Sequence, residues 1–194
     1  MICCFFGDSL TLGYGDETGL GWAGRVGKAV CAARPDATVY NLGVRRNAAP
    51  LLQHRWRAEA MPRRMEGESF KLVFSFGVAD VFTEVAVEES LAAGVSILTQ
   101  AKEMGDVLVV GPLPANDREK REALVELSRL QATMCKRLDI PFVSVIDAMH
   151  RSFVYGQALN DGDGVHPVGA GYADLAEHIL NNDLARAFFG LEKP

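Results

Sequence analysis

The sequence is poor in the features that mark specialised classes of protein. It contains no low-complexity tract, no internal repeat and no linker-like segment, and the apolar run at its start is far too short to cross a membrane. Hydrophobic residues make up 48% of the chain and charged residues 23%, which are ordinary values for globular proteins. The composition therefore excludes disordered, collagen-like and coiled-coil chains.

An excess of positive charge is also absent. The chain has 20 lysine and arginine residues against 25 aspartate and glutamate residues, which gives a formal net charge of -5. Proteins that bind nucleic acids or anionic membranes need a cationic surface to attract phosphates. The charge balance therefore argues against both kinds of partner.

The four cysteines lack the spacing of a metal or redox site. Cys3, Cys4, Cys31 and Cys135 form no CxxC pair, and the first two are adjacent within an apolar run. This arrangement favours free, buried thiols over disulfides, and reduced thiols suit the cytosol. No basic segment precedes the apolar residues that follow Met1, so the chain as given predicts a cytoplasmic protein, with a processed export signal as the alternative.

The length of 194 residues suits one globular domain over residues 1–194, with almost no room for a second. Short apolar segments alternate with longer segments of helical periodicity. The pattern predicts strands at 2–6, 37–42, 70–76, 107–111 and 141–146, and helices at about 21–34, 48–61, 84–104, 117–138 and 168–189. Apolar strands that alternate with helices indicate a parallel sheet covered on both faces, a three-layer α/β/α sandwich. In such sheets, ligands bind at the carboxyl ends of the strands.

A polar, glycine-rich turn follows the first predicted strand. It begins Gly7-Asp8-Ser9-Leu10 and continues to Gly15. A serine in this place can be presented above the sheet as a nucleophile, with backbone N–H groups nearby that stabilise an oxyanion. A phosphate-binding loop and a simple serine helix cap are the alternatives, but the Lys-Ser/Thr pair of a P-loop is absent.

A base for that serine is available near the other end of the chain. Asp163 lies three residues before His166, just ahead of the last predicted helix. This spacing lets a turn bring the carboxylate beside the imidazole, where it fixes the tautomer and stabilises the imidazolium. A calcium loop or an exposed turn is the alternative, although the acidic spacing of an EF-hand is missing. The other histidines are scattered and predict neither a catalytic base nor a zinc site: His54, His150 and His178.

Gly7-Asp8-Ser9-Leu10 and Asp163-Gly164-Val165-His166-Pro167 together resemble the motifs of the GDSL family of the SGNH hydrolase superfamily. The resemblance spans nearly the whole chain, because the order and spacing of the strands between the motifs also fit. It implies a flavodoxin-like, five-stranded parallel sheet and a Ser-His-Asp triad that hydrolyses esters and related acyl compounds. It also implies a small-molecule ester substrate and the use of no metal or organic cofactor.

The family roles can be carried over to matching residues of this chain. Ser9 is then the nucleophile, and its own N–H is one donor of the oxyanion hole. His166 is the general base toward Ser9 and later the general acid toward the leaving alcohol, while Asp163 orients His166.

Two other positions of the expected oxyanion hole depart from the family pattern. Arg46 stands where the family has a glycine after the second strand, with Gly43 as the alternative match, and Ala79 replaces an asparagine after the third. A missing oxyanion hydrogen bond typically costs about 2.7–4 kcal/mol in the transition state. We hypothesise that Arg45, Arg46 or Asn47 supplies the lost donor, and a guanidinium there would favour an anionic substrate.

Further residues are expected around the site. Leu12, Tyr14 and Trp22 are predicted to form an apolar wall, and residues 112–116 to border the substrate. Two aspartates are expected to anchor loops through backbone hydrogen bonds rather than to react: Asp8 and Asp80.

The sequence favours a serine esterase or acylhydrolase that acts on a small or medium ester. The alternative is a weakened family member that binds an acyl or carbohydrate ligand, because Ala79 and Arg46 alter the oxyanion hole. A flavodoxin-like nucleotide binder is disfavoured, since it would need an acidic cluster or a phosphate loop after the first strand.

Overall fold

The computed structural model describes residues 1–191. A sheet of five parallel strands forms its centre, in the order β2-β1-β3-β4-β5. The strands are β1 (Ile2–Gly7), β2 (Thr38–Gly43), β3 (Phe70–Ser75), β4 (Asp106–Val110) and β5 (Phe142–Val143). This is the flavodoxin-like strand order, and its topological switch point lies between β1 and β3. The predicted three-layer α/β/α fold is confirmed.

Helices cover both faces of this sheet. In chain order they are α1 (Ser9–Leu12), α2 (Gly21–Ala33), α3 (Ala49–Ala60), α4 (Val78–Phe82), α5 (Val87–Lys102), α6 (Arg118–Arg137), α7 (Ile146–Arg151), α8 (Phe153–Asp161), α9 (Gly169–Asn181) and α10 (Asp183–Phe189). Helices α2 and α7 to α10 cover one face, while α3 and α5 cover the other. No helix within residues 1–191 is both long enough and apolar enough to span a bilayer.

Alternate residues of β1 face opposite layers of the sandwich. Phe5 packs on one side, with its ring centroid 5.7 Å from that of Trp22. Phe6 packs on the other, 5.3 Å from Phe74 and 6.4 Å from Trp56. Because β1 is central and covered on both faces, its side chains are apolar throughout rather than alternating with polar ones.

The cysteines are free thiols, as the sequence predicts, and three of them are buried. Burial raises the pKa of Cys3 to about 11 and the pKa of Cys4 to about 12. Both thiols therefore stay protonated at neutral pH and act as small apolar core residues.

The predicted strands match the observed ones to within one residue at each end, except for the last. That strand was expected over 141–146, but it covers only Phe142–Val143, because Ile146 already begins α7. The helix predicted at 168–189 is two helices, and Asn182 separates them by accepting the N–H of Leu184. Helices α1, α4, α7 and α8 were not predicted, since segments this short hold too few turns to show a helical period.

The carboxyl ends of β1, β2 and β3 lie level with one another at the same edge of the sheet. Gly7 pairs with Gly43 on one side and with Ser75 on the other. A Cβ on Gly7 would lie 2.2 Å from the carbonyl oxygen of Ser75, and one on Gly43 would lie 2.2 Å from the nitrogen of Leu12. Glycine at both positions lets α1 lie directly against the neighbouring strand ends, which brings the loops after β1, β2 and β3 together.

We expect Phe6→Ala to destabilise the protein by about 3–5 kcal/mol, because it removes a fully buried ring from between Phe74 and Trp56. Phe153→Ala makes the same chemical change at a side chain that is 84% exposed, and it should cost less than about 0.5 kcal/mol. Urea unfolding followed by circular dichroism measures both. Similar losses in the two variants would contradict the packing described here.

Candidate active site

Ser9, His166 and Asp163 meet at the carboxyl end of the sheet. Ser9 Oγ lies 2.7 Å from His166 Nε2, and His166 Nδ1 lies 2.8 Å from Asp163 Oδ2. The serine is the first residue of α1, while the other two residues lie in the loop between α8 and α9. The structure thus places Ser9 beside His166, although the two residues are 157 positions apart in the chain.

Asp8 holds Ser9 at the start of α1. One carboxylate oxygen of Asp8 accepts the N–H of Leu10, and the other accepts the N–H of Ala79 at the start of α4. Burial raises the pKa of Asp8, whereas these two hydrogen bonds oppose the rise. The expected anchoring role therefore has a specific geometry, in which one buried carboxyl joins the loops after β1 and β3.

Asp80 makes the corresponding link to the second loop. Both of its carboxylate oxygens lie 3.1 Å from the N–H of Ala49 at the start of α3. Burial raises the pKa of Asp80 as well. Asp80 thus holds the start of α3 rather than facing Ser9, in agreement with the anchoring role expected from the sequence.

A tight turn orients Asp163 toward His166. Asp163 Oδ1 accepts the N–H of Val165 at 3.0 Å and the N–H of His166 at 2.7 Å, which leaves Oδ2 for the imidazole. Partial burial raises the pKa of Asp163, but these hydrogen bonds outweigh it and hold the pKa below its usual value. The carboxyl is therefore ionised at neutral pH and can stabilise a charged His166.

The loop after β4 supports this turn. The N–H of Asn116 donates to the carbonyl oxygen of Gly164 at 2.8 Å, and the Asn116 side chain donates to Asn160. Gly164 has a φ of 81°, a conformation that favours glycine. Asn116 therefore holds the loop that carries His166, but residues 112–116 do not line the cavity beside Ser9, and 112–115 are buried.

Arg46 lies in a turn after β2. The N–H of Asn47 donates to the carbonyl oxygen of Val44, and the φ of Arg46 is 58°, which is the type II pattern with a left-handed third residue. Glycine is favoured at that position, so the structure explains why a glycine is expected there. The N–H groups of Ser9 and Arg46 have no hydrogen-bond acceptor within residues 1–191.

The other proposed oxyanion residues are engaged elsewhere. The N–H of Gly43 donates to Asn41 Oδ1 at 3.1 Å, so of the two alternatives it is Arg46 that has the free N–H. Asn47 is buried, and its side-chain oxygen accepts from Arg55 on α3. The Arg45 guanidinium lies 3.7 Å from the centroid of the Tyr14 ring.

A cavity of about 420 Å³ opens beside Ser9 and His166. Its other lining residues are mainly apolar: Arg46, Val78, Ala79, Phe82, Thr83 and Val165. Ala79 contributes only a methyl group, and its N–H is already bonded to Asp8. The loss of the expected asparagine amide therefore leaves apolar space next to the serine.

The expected apolar wall is only partly correct. Tyr14 lies beside His166, with ring centroids 4.9 Å apart in an edge-to-face contact, and Leu12 and Tyr14 are each 38% exposed. Trp22 is fully buried against Phe5 and does not line the cavity. The prediction for Trp22 was wrong because α2 turns that face toward the sheet, where a large ring fills the core.

A network that sequence reasoning missed fixes residues 16–21 to the start of α2. The side chain of Asp16 has no exposed surface, pairs with Arg25, and accepts the N–H groups of Thr18 and Gly21. The same segment reaches α9, because Glu17 accepts the N–H of Gly169. The only sequence signal was an Asp followed two residues later by Thr, the pattern of an Asx turn.

One protein-family model matches most of the chain. A family model described as the GDSL-like Lipase/Acylhydrolase family matches residues 5–173. A solved structure of a member of the lipolytic protein G-D-S-L family from Veillonella parvula DSM 2008 has a TM-score of 0.79 and 18% identity, and the match covers 93% of this chain and 96% of that chain. No curated protein matches the sequence.

Two further solved structures share the fold. A catalytic mutant of an acetylxylan esterase from Geobacillus stearothermophilus has a TM-score of 0.78 and 19% identity over 98% of this chain and 94% of that chain. An alpha/beta hydrolase enzyme from the metagenome of Lake Arreo in Spain has a TM-score of 0.79 and 17% identity over 100% and 96%. At these identities the likeness establishes the fold.

We expect Asp16→Asn to destabilise the protein by about 2–3 kcal/mol at pH 7, because it leaves Arg25 without its buried partner. Burial raises the pKa of Asp16, but the hydrogen bonds from Arg25, Thr18 and Gly21 outweigh it and hold the pKa well below the unfolded value of about 3.9. A lowered folded-state pKa gives stability that is present above about pH 4 and is lost as the pH falls further.

The difference in unfolding free energy between wild type and Asp16→Asn should therefore narrow below about pH 4, and urea titrations at several pH values measure it. Asp147→Asn, at an exposed aspartate of α7, is the matched control and should show little difference at any pH. A constant difference for Asp16→Asn across the acid range would contradict the assigned ion pair.

Proposed function

The chain belongs to the GDSL-like lipase/acylhydrolase family, and on that premise we propose that it is a serine-dependent carboxylic ester hydrolase. The observation that carries this proposal is the continuous hydrogen-bonded series from Ser9 through His166 to Asp163. A nucleophile, a base within hydrogen-bond reach and a group that orients the base are the three parts that acyl transfer requires.

Ser9 and His166 carry the chemical steps. As Ser9 Oγ attacks the ester carbonyl, its proton passes to His166 Nε2, which lies 2.7 Å away. The imidazolium then gives this proton to the leaving alcohol oxygen, and the acyl group remains on the serine. A water molecule repeats the sequence on the acyl-enzyme and releases the acid.

Asp163 would determine which ring nitrogen of His166 carries the proton. The Nδ1–H of His166 donates a hydrogen bond to Asp163 Oδ2, which favours the tautomer whose Nε2 carries no proton and faces the serine. The same carboxylate stabilises the imidazolium that forms in each step. Because Asp163 is anchored by two backbone N–H groups, the orientation of the imidazole does not depend on a flexible side chain.

Two backbone N–H groups, those of Ser9 and Arg46, would stabilise the tetrahedral oxyanion. Residue 79 adds no donor, because alanine has no polar side chain and its N–H is bonded to Asp8. We therefore infer an enzyme that is slower than one with three donors. This feature also supports the second candidate, a weakened member that binds an acyl or carbohydrate ligand.

The substrate we propose is a small or medium ester. The cavity of about 420 Å³ has apolar walls that suit a short acyl chain. An acetylated sugar is one candidate, since a structural neighbour is an acetylxylan esterase. Four free cysteines fit a reducing compartment, so we place the enzyme in the cytoplasm.

A fluorophosphonate probe should label the wild-type protein at Ser9, because the probe needs an activated serine. Labelling should be lost in Ser9→Ala and reduced by at least about a hundredfold in rate in His166→Ala. His150→Ala removes an exposed histidine of α7 and should label like wild type. Gel fluorescence and mass spectrometry of the labelled peptide measure these outcomes, and an unlabelled wild type would favour the ligand-binding alternative.

We expect Ala79→Asn to raise kcat for p-nitrophenyl acetate by about tenfold or more, because it places an amide donor beside Ser9. Ala79→Leu is the matched control, since it adds similar bulk without a donor, and it should lower kcat. Steady-state kinetics measure both variants. No gain from asparagine would indicate that the oxyanion is already fully stabilised by the residues present.

A further inference from the structure

We propose that Arg46 makes this site selective for esters that carry a negative charge, a carboxylate or a phosphate, within reach of the cavity. The inference rests on the proposed esterase activity and names its substrate class. It concerns the Arg46 side chain, whereas the oxyanion role of this residue concerns only its backbone N–H.

The charges around the cavity support this inference. Among residues 1–191, Arg46 is the only lysine or arginine that lines the cavity, and no aspartate or glutamate of that range lines it. The acidic groups next to the lining residues face other partners: Asp8 and Asp80 are buried and accept backbone N–H groups, Asp163 bonds to His166, and Glu84 lies 4.0 Å from Lys120. In a protein with a net charge of -5, Arg46 is therefore an exposed positive side chain beside a cavity that no described carboxylate lines.

The Arg46 guanidinium is also free to bind a ligand. Within residues 1–191 it has no hydrogen bond, ion pair or ring contact. Its neighbours differ in this respect, because Arg45 stacks on Tyr14 and Arg55 bonds to Asn47 and to the carbonyl oxygen of Gly7. An exposed, unpaired guanidinium loses little existing stabilisation when it binds an anion.

The backbone at Arg46 gives an independent argument. Its φ of 58° is a conformation in which arginine is less stable than glycine. A glycine would supply the same N–H to the oxyanion at no conformational cost, so the oxyanion role alone does not account for arginine here.

The shape of the cavity defines the ligand more closely. Val78, Phe82 and Val165 give it apolar walls. A guanidinium binds carboxylate and phosphate oxygens through two parallel hydrogen bonds. The matching substrate is an ester with a short apolar segment and an anionic group at the end of that segment.

Two pairs of substrates test the proposal, and in each pair a carboxylate in one member is replaced by an uncharged carboxamide in the other. The first pair carries the anion on the acyl side: the p-nitrophenyl monoesters of glutaric acid and of glutaramic acid. The second carries it on the alcohol side: the acetate esters of 4-hydroxybenzoate and 4-hydroxybenzamide. The kcat/KM ratio of anionic to neutral ester is measured for wild type, Arg46→Gln, Arg46→Lys and the control Arg129→Gln, which removes an exposed positive charge from α6.

Wild type and Arg129→Gln should prefer the anionic ester in at least one pair. Arg46→Gln removes the charge but keeps a non-glycine residue at this left-handed position, and it should lower the ratio by about tenfold, mainly through KM. Arg46→Lys keeps the charge and should retain part of the preference for the anionic ester. Added salt should weaken the wild-type preference, because it screens an exposed charge. A ratio that is the same in wild type and Arg46→Gln, or equal losses on both members of a pair, would overturn the proposal.

Binding of glutarate, measured by calorimetry, separates this inference from the esterase proposal because it needs no turnover. Glutarate should bind about tenfold more weakly to Arg46→Gln than to wild type and to Arg129→Gln. If no ester is hydrolysed but this difference is found, the anion site stands and the esterase proposal fails. If esters are hydrolysed at Ser9 but neither hydrolysis nor glutarate binding depends on Arg46, the esterase proposal stands and the anion site fails.

Discussion

The buried carboxyl of Asp8 is the link on which the rest of the site depends. It accepts one N–H from α1 and one from α4, so it fixes the loop after β1 relative to the loop after β3. Asp80 extends the link to α3 through Ala49. Because these strand ends are level, two carboxylates are enough to hold three loops together around Ser9. Their burial is costly, and the backbone hydrogen bonds offset that cost.

The sequence predicted the parts of this arrangement that have a local signal. The strands are continuous apolar runs, and the Ser9 and His166 motifs each lie at the end of an element, so their positions followed from the pattern. The sequence predicted that Asp8 and Asp80 anchor loops through backbone hydrogen bonds, but it did not predict their partners, Ala79 and Ala49. Those partners are backbone groups, which carry no sequence signal.

Other features depend on tertiary contacts and could not be predicted. Trp22 was expected near the substrate, but its position on α2 directs it to Phe5 in the core. The left-handed conformation of Arg46 is imposed by its turn, against the preference of arginine itself. The Asp16 network likewise joins α2 to its preceding loop. It depends on the burial of the Asp16 side chain and its pairing with Arg25, which follow from tertiary structure.

In the proposed mechanism, Ala79 and the Arg46 side chain affect different parts of the reaction. Alanine removes a neutral donor that would act on any ester, whereas an arginine beside the cavity acts through a charge that reaches farther than one hydrogen bond. Because Arg46 is exposed, solvent screens this charge until a ligand covers it. In the proposed mechanism, a substrate anion that binds the guanidinium neutralises its charge, so the gain lies in substrate binding rather than in stabilisation of the oxyanion. Anionic esters would then be favoured through KM, whereas charged and neutral esters alike would depend on the two backbone donors, Ser9 and Arg46, for the chemical step.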